Sequence, residues 1–204
     1  MGKNWLSRRR NDAFYKLAKK SGYRSRAAYK LIFINQKFGI FRDGDTVLDL
    51  GAAPGGWSQV AKELVGDKGT VIGIDLAKIE PAPAIMFFQW DLTDEKTLEN
   101  ISELLEKRGI GKVDAVISDM SPNISGNYSY DHAKSVALCE RALDISKGLL
   151  KKGGNLVVKI FQGDLYDDFF TKVRGNFRLC KGFKSKASRA ESSELYIVGK
   201  GFIL

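Results

Sequence analysis

The chain has 204 residues, 44% of them apolar, and 33 Lys/Arg against 24 Asp/Glu give a net charge of +9. That suits one globular domain with a full core and excludes disordered or fibrous classes. No run approaches membrane-spanning length, the basic N-terminus carries no apolar signal segment, and Cys139 and Cys180 make no metal or redox spacing. A cytoplasmic protein of a reducing compartment is the expectation.

The charge is uneven. Residues 1–37 hold eleven Lys/Arg and one acid, a net +10, so residues 38–204 carry −1. With Trp5, Phe14, Tyr15, Tyr23 and Tyr29 interleaved, this end reads as a nucleic-acid-binding extension, with Arg8, Arg9, Arg10, Lys19, Lys20, Arg24 and Arg26 as candidate phosphate contacts. Residues 1–12 read as a basic arm. Helical spacing follows at 13–20 and 25–37, the second with Ser25 as N-cap and Ala28, Leu31, Ile32 and Asn35 on one face.

From residue 46 onward, strand and helix patterns alternate. Strands are predicted at 46–50, 70–75, 85–89, 113–118, 154–161, 176–183 and 195–200. Helices are predicted at 57–65, 94–108, 131–150 and 164–174. Thr93 or Asp94 caps the second of these and Gly109 ends it, while Lys152–Gly154 stops the third. This is an α/β pattern: a seven-stranded, mostly parallel Rossmann-like sheet with helices on both faces. The last two strands lack a helix between them and predict an antiparallel edge hairpin. The chain divides into the extension (1–37) and a catalytic core (46–204) within a single domain.

Thr46–Leu50 runs into Gly51-Ala-Ala-Pro-Gly-Gly-Trp57, a strand–glycine turn–helix unit that offers backbone N–H groups and a helix N-terminus to a ligand. The spacing is not that of a dinucleotide loop. Gly51 and Gly56 fit half of a Walker A loop, but Trp57 stands where its Lys belongs. Asp75, at the end of the next strand, is placed to hold a ribose diol. A nucleoside without a phosphate chain fits these features, and S-adenosylmethionine is the candidate. Asp49, Asp75, Asp91, Asp119 and Lys159 fall at successive strand ends, where such sheets gather function. Lys159 interrupts an apolar strand and therefore needs partners. His132 reads as a helix-start residue, and no cluster suggests a metal.

Asp49-Leu-Gly-Ala-Ala-Pro-Gly-Gly-Trp-Ser58, Ser118-Asp-Met-Ser-Pro-Asn123, Val158-Lys-Ile-Phe-Gln-Gly163 and Ser188-Arg-Ala190 through Glu194-Leu-Tyr196 together resemble the FtsJ/RlmE family of S-adenosylmethionine-dependent RNA ribose 2′-O-methyltransferases. Ser25-Arg-Ala-Ala-Tyr-Lys-Leu31 matches the family's N-terminal motif, so the resemblance runs from about residue 12 to the C-terminus. It implies a catalytic tetrad of Lys30, Asp119, Lys159 and Glu194. Cofactor contacts are implied at Gly51, Pro54, Gly55, Trp57, Asp75, Asp91, Leu92 and Asp119. Glu191 departs from the basic residue that bacterial members often carry.

The resemblance further implies large-subunit ribosomal RNA as the partner, methylated at a uridine ribose by a monomeric enzyme that needs no metal. Lys159 would serve as general base or would orient the hydroxyl. The tRNA anticodon loop is the alternative substrate within the family. A non-catalytic assembly factor would not need an intact tetrad, and a nicotinamide dehydrogenase would need a different glycine spacing.

Overall fold

The computed structural model describes residues 12–189 and 191–203. Its elements are α1 (Ala13–Lys20), α2 (Ala28–Phe38), β1 (Thr46–Leu50), α3 (Gly56–Val65), β2 (Thr70–Asp75), β3 (Ile85–Gln89), α4 (Thr97–Lys107), β4 (Val113–Ser118), α5 (Tyr128–Leu149), β5 (Leu150–Phe161), α6 (Tyr166–Arg174), β6 (Phe177–Phe183) and β7 (Glu194–Phe202). The seven strands form one sheet in the order β3-β2-β1-β4-β5-β7-β6. β1 to β5 run parallel, and β7 is antiparallel to both β5 and β6. The expected α/β sheet is present. The last two strands form the expected antiparallel pair at one edge, with β7 lying between β5 and β6 and β6 outermost.

Side-chain alternation along the strands sorts the core into two layers. Leu48, Leu50, Ile72, Ile74, Val116 and Val158 pack with Ile101 and Leu105 of α4, Val136 and Leu143 of α5, and Phe169 of α6. Val47, Val71, Ala115, Ile117, Val157, Tyr196 and Val198 face Ala28, Leu31 and Ile34 of α2 and Trp57, Val60 and Ala61 of α3. The core thus begins well before β1, and α2, expected as part of the basic extension, supplies one wall of it.

Several local expectations are corrected. Ser25 does not cap α2. Ala27 occupies that position without a side-chain cap, and the helix is entered through three short-range bonds from Ala28, Tyr29 and Lys30 N–H to the carbonyls three residues back. The buried face of α2 is Ala28, Lys30, Leu31 and Ile34, with Ile32 and Asn35 only partly covered. α4 starts at Thr97 after Lys96, not at a Thr93 or Asp94 cap, because both of those side chains serve the turn before it. α5 starts at Tyr128, earlier than the sequence suggests, with the Asn127 side chain accepting from Tyr130 N–H at 3.2 Å. Lys152–Gly154 lie inside β5 at an irregularity in its pairing with β4, and the preceding helix has already ended at Leu149. No helix of the described residues is long and apolar enough to cross a membrane.

Candidate active site

The sheet reverses its winding between β1 and β4, and the carboxyl ends of the strands open there into a cleft. One parity of strand positions supplies the site. Val47, Ile117 and Val157 all face α2 and α3, so Asp49, Asp119 and Lys159, two residues further along in β1, past β4 and in β5, continue that face. Tyr196 and Glu194 of β7 lie at alternate positions, with Tyr196 paired to Lys159 in register and Glu194 paired to Phe161. α2 then lays Lys30 over the same patch.

The four tetrad residues form two ion pairs. Lys159 Nζ is 3.2 Å from Asp119 Oδ1 and also donates to the Asp119 carbonyl. Lys30 Nζ is 2.7 and 2.8 Å from the two oxygens of Glu194. Both lysines are buried residues, at 7% exposure for Lys159 and 8% for Lys30. A Lys at that depth is stable only with such partners, and removing one partner of a buried pair costs about 3–5 kcal/mol.

Tyr196 joins the pairs. Its hydroxyl donates to Asp119 Oδ1 at 2.9 Å, and Lys30 Nζ lies 5.7 Å from its ring centroid. The residue is fully buried, and desolvation, reinforced by the charges of Asp119 and Glu194, keeps its hydroxyl protonated far above the usual tyrosine range. Sequence reasoning quoted Tyr196 in a motif without giving it a role. The period-2 spacing from Glu194 was the signal that could have found it.

The glycine turn is tightly packed by its neighbours. Gly51 has φ +74°, and a Cβ there would fall 2.3 Å from Met120 Cγ. Gly55 has φ +106° and precedes α3 with no side-chain cap. The peptide before Pro54 is cis. Asp75 accepts from Ala53 N–H at 2.9 Å and Ala77 N–H at 2.7 Å, so it fixes the turn while bordering a cleft of about 960 Å³ that Thr93, Ser121 and Pro122 also line. Asp91 is exposed; hydrogen bonds from the Thr93 hydroxyl and N–H hold its carboxyl below the usual range. Leu92 is buried, and its carbonyl accepts from Arg141 Nε at 2.6 Å.

Trp57 lies with its side chain in the core. Its indole N–H donates to the Ala27 carbonyl at 2.8 Å and its ring packs 5.7 Å from Tyr196, so only its backbone remains for a cofactor. Asp49 is fully buried and takes a hydrogen bond from Ser58 Oγ at 2.6 Å. Desolvation pushes its pKa up to about 7. Its sequence placement suggested a ligand contact, but the carboxyl faces α3 inside the fold.

Of the candidate RNA contacts, Arg8, Arg9 and Arg10 lie outside the described residues. Lys19 and Lys20 are exposed on the last turn of α1. Arg24 spends its guanidinium on the carbonyls of Pro54, Glu80 and Pro81 and rests over Phe87, which braces the glycine turn. Arg26 pairs with Asp12 and donates to the Ala187 carbonyl, yet still lines a cleft with Lys30, Arg189 and Glu194. Among the described residues, no group of three or more His, Cys, Asp or Glu is placed to hold a metal ion.

A Rossmann-like sheet with a glycine turn at β1, an acid ending β2 and a Lys–Asp pair at the switch point defines the methyltransferase class of this fold. The chain belongs to the FtsJ-like methyltransferase family, which it matches over residues 23–202. It is 51% identical to the ribosomal RNA large subunit methyltransferase E of Methanocella arvoryzae, over 96% of this chain and 74% of that one. The protein of the same name from Methanocaldococcus jannaschii is 48% identical, over 98% of this chain and 82% of that one. Among solved structures, a putative ribosomal RNA methyltransferase from Plasmodium falciparum superposes with a TM-score of 0.78 at 29% identity, covering 89% of this chain and 99% of that one.

Proposed function

We propose that this protein methylates the ribose 2′-oxygen of a uridine in large-subunit ribosomal RNA. The observation that carries the reading is the tetrad: two buried ion pairs, Lys159–Asp119 and Lys30–Glu194, joined through Tyr196. The names of the archaeal relatives support the substrate.

The residues present fit S-adenosylmethionine. Asp75 offers a carboxylate at the cleft wall, and α3 begins without a side-chain cap. When bound, the cofactor would supply an electrophilic methyl group on a sulfonium, and Asp75, Asp91 and the Gly51–Gly55 turn are the residues that would hold it.

This chain's part is to place one hydroxyl in line with that methyl and manage its proton. Lys159, fixed by the carboxylate and carbonyl of Asp119, is the group that meets the 2′-oxygen. As a free amine it takes the hydroxyl proton; as an ammonium it orients the oxygen lone pair, and the proton leaves to solvent. The pH dependence of the single-turnover rate separates the two, since only the base role makes the rate rise until the Lys is deprotonated. Lys30 and Glu194 close the other side of the site and hold the strand that carries Tyr196.

Tritiated methyl transfer from S-adenosylmethionine tests the reading, run on large ribosomal subunits, free ribosomal RNA and bulk tRNA from a strain lacking the gene. Label on a ribose 2′-oxygen in the large-subunit RNA is the expected result. Label only in tRNA would move the substrate, and no label with cofactor bound would make the protein a non-catalytic assembly factor.

A further inference from the structure

Three neighbouring clefts share residues in turn and differ in chemistry, and Glu194 of the tetrad lines two of them. The cofactor-side cleft reaches Ser121, which it shares with a second cleft of about 450 Å³ lined by Ile124, Tyr128, His132, Phe161 and Glu194. That second cleft shares Glu191, Ser192 and Glu194 with a third, whose walls carry Arg26, Lys30 and Arg189. Cations therefore line one side of Glu194, and aromatic and aliphatic groups line the other.

The apolar side is open and held in place. Ile124 and Tyr128 are 65% and 58% exposed. The Tyr128 ring lies 14° from parallel to the His132 imidazole, with centroids 6.4 Å apart, and its hydroxyl donates to the Gln162 carbonyl at 2.5 Å. The loop before it is pinned by buried Asp131, which accepts from Ser125 N–H and Oγ and from Gly126 N–H. Leu165 N–H donates to His132 Nε2 at 3.0 Å, while Nδ1 is buried with no partner among the described residues. So the ring is presented as a fixed flat surface in the cleft that Glu194 also lines, with an unspent polar atom in the wall behind it.

Resting on the methyl-transfer reading above, we infer that this cleft receives the base of the nucleotide being methylated, stacked on Tyr128, while Arg26 and Arg189 face its phosphate. A ribose held with its 2′-oxygen at Lys159 must send base and phosphate in different directions, and the two sides of Glu194 offer an aromatic wall and a cationic one. Sequence-specific RNA recognition works on unstacked bases laid on aromatic rings, so a base turned out of its helix matches this wall.

The test is kcat/KM for RNA with large subunits from a strain lacking the gene, for wild type and for Tyr128→Ala, Tyr128→Leu and Tyr128→Phe. Loss of one stacked base predicts a fall of about 5- to 150-fold for Ala and Leu. Phe, which keeps the ring and loses the tether to Gln162, should stay within about threefold. The dissociation constant for S-adenosylmethionine and the melting temperature should not move in any of them. Once the wild-type product has been mapped, an RNA fragment with an abasic ribose at that position completes the cycle: it should lose as much with wild type as Ala does on normal RNA, with no further loss when both are combined. Unchanged kcat/KM in Tyr128→Ala, Phe falling as far as Ala, or additive losses in the cycle would overturn the inference while leaving methyl transfer standing. No label from wild type would overturn both.

Discussion

Removing one oxygen atom, by Tyr196→Phe, probes how the site is held. The hydroxyl donates to Asp119 Oδ1 at 2.9 Å, and the ring is fully buried between Trp57 and Lys30, so Phe keeps the packing and deletes only the hydrogen bond. A hydrogen bond to a charged group contributes about 1.5–3 kcal/mol, and here it is one of few that hold the Asp119 carboxylate in place. Taking about 2 kcal/mol, the melting temperature of a chain this size should fall by roughly 4–8 °C. Because Asp119 positions Lys159, a similar energy should appear in the reaction as a fall of about 30-fold in kcat, with KM for S-adenosylmethionine nearly constant. Calorimetry and single-turnover methyl transfer on the same preparations read the two quantities. A variant that melts within 1 °C of wild type and turns over within twofold would show that Asp119 needs no help from Tyr196, and the bridge between the two ion pairs would be incidental.

Lys159→Ala should lower methyl transfer by at least about 10²-fold while the dissociation constant for S-adenosylmethionine changes by less than about threefold; comparable turnover would remove Lys159 from the mechanism. Asp49, raised to about 7 by burial, favours folding in its protonated form. Its contribution is therefore complete below about pH 4 and lost as pH rises through 7, a difference on the order of 4 kcal/mol. Asp49→Asn should flatten the fall of melting temperature across that window, and parallel curves for the two proteins would count against it. Neutralising Arg8, Arg9 and Arg10 together should reduce the slope of log binding constant against log salt by about 2–3 for RNA, leaving cofactor binding alone; an unchanged slope would assign the arm another task.

The alternation of elements, the glycine turn and the strand-end acids were all legible in the chain, because each depends on neighbours within a few residues: β-branched runs, positive-φ glycines, a period of two or 3.6. Element starts were read less well. Asp94 and Ser25 are good caps by type, but Asp94 closes a local turn and α2 begins only where packing against α3 and the sheet allows it. The insertion of β7 between β5 and β6 was not readable either, since an interior strand and an edge strand differ in what lies beside them and not in their own composition.

By itself the sequence determined which residues carry charge into an otherwise apolar sheet, and with them the class of chemistry. Only the tertiary structure decided how those charges are paired. Lys30 and Glu194 are 164 residues apart and Lys159 and Asp119 are 40 apart, so their partners follow from strand order and register and from where α2 docks. Arg24 and Trp57 show the converse: residue types suited to RNA or cofactor are turned toward the backbone carbonyls of distant segments, which only the folded chain brings within reach.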